Sequence, residues 1–173
     1  MKKIYLLLFT LLLIGCEKDA PENNSTDETQ IDLITGINIR SFVNSPATRL
    51  GNPNINNNNN FIAFPNPPIG TLFITSNNVI SDVWIVPSTA EKSFQQVDFN
   101  EILKSDLYTE NEINSLSDSK FLNQNSNNLT LNLENLDVGY YKVFVKINGT
   151  FYWENIYSSD GSQEIEELID FWK

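Results

Sequence analysis

Leu129, Leu131 and Leu133 alternate with Thr130, Asn132 and Glu134, the period-two pattern of a strand with one buried face. The same rule marks a first strand at Ile37-Asn38-Ile39-Arg40, within 31–40. Two β-branched and aromatic runs follow, Thr71 to Thr75 and Val79 to Val86, separated by Ser76-Asn77-Asn78. Tyr140 to Ile147 and Thr150 to Tyr157 flank Asn148-Gly149, the strongest short-range hairpin signal. Taking the apolar phase of each run, Val143, Val145, Leu131, Leu133 and Trp84 are expected to lie buried between two sheets.

Helical spacing appears in two places. Asp98 with Glu101, and Thr109 with Glu112, have the capping-box interval, which predicts two short helices between Asp98 and Leu116. At the C-terminal end Ile165, Leu168, Ile169 and Trp172 fall at i, i+3, i+4 and i+7, behind acidic residues that favour a helix start. This predicts an amphipathic helix packed on the domain. Residues 44–60 are rich in turn formers and end in five consecutive asparagines, so they read as a loop. The stretch 87–128 reads as an insertion between strands, and 31–173 as one β-sandwich domain around it.

The chain opens differently. Lys2 and Lys3 precede an apolar run from Ile4 to Ile14. Eleven helical residues would reach about 16 Å, roughly half of a bilayer core, so the run is a secretory signal over 1–15 rather than a span. Glu17 to Gln30 is acidic, with no aromatic and no branched aliphatic residue, and 16–30 reads as a flexible tether.

Composition narrows the chemistry. The chain has 11 Lys+Arg against 22 Asp+Glu; removal of 1–15 takes Lys2 and Lys3, leaving 9 against 22, a net charge near −13. Such a surface opposes nucleic acid and anionic lipid. With no histidine, imidazole bases, Ser-His-Asp triads and imidazole metal sites are excluded. Cys16 is the only cysteine, so no disulfide forms within the chain. No cofactor is implied, and no Asp-x-Asp-x-Asp-Gly calcium loop is present, so no metal site is assigned. Carboxylates remain for catalysis. The pairs Glu110/Glu112, Glu166/Glu167 and Asp98/Glu101, however, fall at helix starts or on solvated faces.

Two resemblances add to this reading. Leu13-Ile14-Gly15-Cys16 resembles a bacterial lipobox, which implies acylation of Cys16 and a mature chain that starts there. Cys16-Glu17-Lys18-Asp19 is similar to the short tag that exports some lipoproteins of Bacteroidota to the cell surface. Further on, Phe64-Pro65-Asn66-Pro67, Leu72-Phe73-Ile74, Ile80 to Ile85, Leu131 to Leu136 and Gly139 to Val145 follow one another. This order, over 64–147, resembles the type A C-terminal sorting domain of type IX secretion cargo. It implies an immunoglobulin-like antiparallel β-sandwich. Sorting domains end their chains, whereas here a strand and a helix follow, so the fold is carried over and the secretion role is not.

The function expected is a non-catalytic binding or accessory lipoprotein. Cys16 would hold it in the outer membrane, at the cell surface or the periplasmic face, with a protein or a glycan as partner. The alternative is a glycan-processing enzyme that uses carboxylates alone. Seven aromatics crowd residues 140–157, more than one hairpin face buries. Tyr140, Phe144, Tyr152 and Trp153 are therefore the candidate contact platform. The competing reading has helices or the C-terminal tail covering that face.

Overall fold

The computed structural model describes residues 27–173; the signal, Cys16 and most of the tether lie outside the described residues. Among the described residues nine strands and three helices run in the order β1 (Leu33–Ile34), β2 (Gly36–Ile39), β3 (Thr48–Gly51), β4 (Phe61–Phe64), β5 (Thr71–Ala90), α1 (Phe99–Ile102), α2 (Glu110–Leu116), β6 (Ser119–Phe121), β7 (Ser126–Asn132), β8 (Gly139–Ile147), β9 (Thr150–Ser158) and α3 (Ile165–Trp172). The protein is mostly β, a sandwich built from one large mixed sheet and a small second sheet of β2 and β3. No helix among the described residues is long and apolar enough to cross a membrane.

β5 is the element that makes the sandwich. Its first part pairs with β4 and with β7, in register Leu72 to Leu131 and Ile74 to Leu129. Its second part pairs with β8, in register Val83 to Val145 and Ile85 to Val143, and β8 continues into β9. The ladder with β7 shifts between Thr75 and Ile80, where one strand changes partners. The two runs expected as separate strands are therefore one. Ser76-Asn77-Asn78 stays extended because Ser76 Oγ donates to the Asn60 carbonyl at 2.7 Å and accepts from the Asn78 amide at 3.0 Å.

Between the two halves lies the main core: Leu72, Ile74, Leu129, Leu131, Leu133, Val83, Ile85, Val143, Val145 and Ile147. Val143, Val145, Leu131 and Leu133 are buried there as expected. Trp84 is buried too, but on the other side of the sheet. It pairs with Phe144 and not with a core valine, and it packs with Phe144, Trp153, Phe99, Leu103, Tyr108 and Ile113 under the helices. Residues 83–86 are all buried, one pair on each face, so the apolar run hides its own phase.

The helices follow their caps. The Thr109 hydroxyl and the Glu112 carboxylate form a full capping box on α2, while Asp98 caps α1 through the Asn100 amide at 3.1 Å. α3 buries Leu168 and Trp172 against Ile34, Ile37 and Tyr157. Two stretches differ from expectation. The 44–60 loop contains β3, which pairs with β2, and 87–128 holds the end of β5, α1, α2, β6 and the start of β7. The expected tether also orders before it ends. Gln30 closes a turn on Asp27, and the Tyr108 hydroxyl donates to the Thr29 carbonyl at 2.8 Å.

Candidate functional site

The aromatic platform does not form. Cross-strand partners share a face, and both faces of β8 and β9 are covered. Phe144 and Trp153 are fully buried, with the Tyr108 ring 5.6 Å and 5.1 Å from theirs. Tyr140 is half-buried beneath α3, 5.8 Å from the Trp172 ring. Tyr152 lies on the opposite face, half-buried against the main core. The helical segment that reads as an insertion covers Phe144 and Trp153, α3 covers Tyr140, and the main core takes Tyr152, so four aromatics of one hairpin end in three different environments.

The open chemistry lies along the outer edge of β9. Asn56 exchanges both backbone hydrogen bonds with Trp153, at 3.2 Å and 3.0 Å, so the asparagine-rich segment seals that edge like a short strand. Its side chains are then committed one by one. The Asn54 amide donates to the Leu33 carbonyl at 2.8 Å, while its carbonyl accepts from the Asn155 amide at 2.8 Å. Asn57 donates to the Phe61 carbonyl at 2.9 Å and accepts from the Phe61 amide at 3.2 Å. Asn58 and Asn59 take left-handed backbone angles, φ 49° and 59°, which asparagine tolerates better than other residues with a side chain.

This edge encloses a polar cleft of two adjoining lobes, about 420 Å³ and 360 Å³, that share Asn38, Ile55 and Asn100. Asn52, Gln95, Gln96 and Asp98 line the first lobe; Arg40, Asn57, Asn58, Asn59 and Glu154 line the second. Glu154 is the floor. Its side chain is 9% exposed, and its two oxygens each accept one amide, from Asn38 at 3.0 Å and from Asn57 at 3.1 Å. Burial pushes this carboxyl above the usual glutamate range. The Asn57 and Asn38 hydrogen bonds, the Arg40 charge and the Asn155 amide pull it partly back.

Of the carboxylate pairs singled out in the sequence, Glu166 and Glu167 lie exposed in the first turn of α3 and Glu101 is exposed on α1, while Glu110, Glu112 and Asp98 have structural partners. Glu110 pairs with Lys146 Nζ at 2.8 Å, Glu112 closes the cap on Thr109, and Asp98 holds Asn100. No group of three or more potential metal ligands occurs among the described residues. Sequence reasoning missed Glu154, Asn38, Asn57 and Asn100 as a set. The asparagine run was the visible signal, but it reads as turn chemistry until the fold brings Glu154 to it. Comparison with protein-family models, curated proteins and solved structures returns no match.

Proposed function

We propose that the chain is a lipid-anchored binding protein, held by acylated Cys16 at the outer membrane and presenting the cleft over Glu154 to a polar ligand. The observation that supports binding most is the buried Glu154 carboxylate, held by two amides at the floor of an open cleft. Such a constellation fixes orientation and specificity through a few placed polar groups. Location is argued from Leu13-Ile14-Gly15-Cys16 and from the charged and apolar segments before it. Two buried acyl chains already hold a protein stably at about 0.8 kcal/mol per methylene.

The test is fractionation with intact-mass analysis. The wild-type chain is expected in the membrane fraction, starting at Cys16 and carrying acyl chains, and Cys16→Ser is expected to be released. An unmodified Cys16 in the wild type contradicts the anchor. Glycan processing by carboxylates has one observation in its favour, the raised proton affinity of Glu154 in a cleft whose other lobe carries Asp98. That reading requires Glu154→Gln to abolish hydrolysis of a polysaccharide while retaining binding.

A further inference from the structure

We infer that the cleft over Glu154 is a subsite for an uncharged saccharide, recognised through its hydroxyl groups and not through a charge. The inference rests on the reading of this chain as a binding protein and adds the class of ligand. Three features of the lining carry it.

The first is donor and acceptor balance. A hydroxyl group both gives and takes a hydrogen bond, and a side-chain amide offers both functions within one group. Asn38, Asn58, Asn59 and Asn100 place such amides around the two lobes. Asn38, Asn58 and Asn100 each give one donor, to Glu154, Asn56 and Asp98 in turn, and keep a second. Gln95, whose amide donates to the Thr35 and Ser93 carbonyls, offers its oxygen beside Gln96 at the far side. The Glu154 oxygens each accept one side-chain amide, from Asn38 and Asn57, with the Asn155 backbone amide beside them, and the carboxylate's roughly four lone-pair sites leave acceptor capacity for a neighbouring hydroxyl of a ring. The second is the apolar strip. Half-buried Ile55 lies where the lobes meet, with half-buried Val97 in one and Ile62 in the other, a surface for the C–H face of a pyranose.

The third is charge. The cleft's two arginines are tied to the protein itself. Arg40 Nη1 donates to the Val43 and Ser45 carbonyls at 3.3 Å and 2.6 Å. Arg49 donates through Nε to the Gly51 carbonyl at 3.3 Å, and through Nη2 to Asn52 Oδ1. No lysine lines either lobe, whereas Glu154 and Asp98 are among the lining residues. An acidic sugar would meet two carboxylates and a mature chain of net charge near −13, 9 Lys+Arg against 22 Asp+Glu once Lys2 and Lys3 are removed. Each lobe falls within the range of small-ligand pockets, about 300–1,000 Å³.

Affinity gel electrophoresis of the full chain in detergent tests this, with soluble β-glucan, xylan, mannan and starch as neutral probes and alginate and polygalacturonate as acidic ones. At least one neutral polymer is expected to retard the protein, and neither acidic polymer should. Glu154→Gln and, separately, Asn100→Ala should weaken that retardation roughly tenfold, the size expected for one lost hydrogen bond to a charged or well-placed partner. Asn100 is exposed, so its variant keeps the test valid even if Glu154→Gln does not fold. Retardation by the acidic polymers, retardation unchanged in both variants, or no retardation by any neutral polymer overturns the inference. The last result with Cys16 acylated leaves the anchored reading standing, whereas loss of acylation with sugar binding intact removes the anchor and not the subsite.

Discussion

Lys142 and Glu154 occupy adjacent strands of one sheet, and both are buried ionisable residues, yet the protein treats them in opposite ways. Lys142 shares the helix-covered face with Phe144 and Trp153. Its ammonium has no hydrogen-bond partner and lies 5.7 Å from the Tyr108 ring centroid. Burial pulls its pKa down to about 7, against a smaller opposing pull from Asp32. Glu154 shares its face with Tyr152 and opens into the cleft, with an amide on each oxygen. The contrast separates two kinds of buried charge. One is solvated by the protein beside a space a ligand can enter; the other is enclosed by aromatic rings and costs stability. The cleft, not the aromatic hairpin, is where the proposed function places recognition.

The largest expected effect tests the closed side. Trp153→Ala should cost about 3–5 kcal/mol, because the ring is fully buried and its Nε1 donates to the Asn54 carbonyl at 3.0 Å. Denaturant unfolding measures this; a change below 1 kcal/mol would mean the helical cover is loose and the platform reading returns. Lys142→Met should instead stabilise at pH 7 by on the order of 1–3 kcal/mol, since it removes an unpartnered buried amine while keeping the stem. Destabilisation by the same change would show that the amine has a partner in solution.

Titration sharpens the comparison because the two groups have opposite signs. For Lys142 the folded pKa lies below the unfolded one, so the unfolded chain binds more protons and stability rises between about pH 7 and 10.5. For Glu154 the folded pKa lies above 4.5, so the folded chain binds more protons and stability falls as pH climbs from 4.5 to the raised value. Thermal midpoints across pH should lose the alkaline rise in Lys142→Met and the acid-side fall in Glu154→Gln. Either slope persisting in its variant assigns it to another group. The smallest stability effect is Asn100→Ala, within about 0.5 kcal/mol for an exposed side chain, even though binding should drop.

How much of this was legible in the chain depends on whether the signal is local. The β8–β9 hairpin, the Leu129-Leu131-Leu133 phase, the Thr109 capping box and α3 are written in spacings of a few residues, and each appears in the structure. Trp84 was misplaced because Val83 to Val86 is apolar throughout, and a strand covered on both faces has no polar residue to reveal its phase. The aromatic hairpin misled for a related reason. An excess of rings signals two buried faces as readily as one exposed one, and the cover comes from Phe99 to Ile113, far away in sequence. The cleft was illegible for the opposite cause. Asn38, Asn57 and Glu154 lie far apart in the chain, with contacts spanning 116 and 97 residues, and asparagine at a ligand site resembles asparagine in a turn.

On the proposed function, the cleft over Glu154 binds and the helix-covered aromatic face does not. The most direct measurement is side-chain NMR of the full chain, titrated with a soluble oligosaccharide of whichever neutral polymer retards it. Shifts are expected in the amide groups of Asn38, Asn57, Asn58 and Asn100, with the indole of Trp153 and the rings of Phe144 and Tyr108 unmoved. Shifts confined to the aromatic set, with the asparagine amides silent, would contradict it.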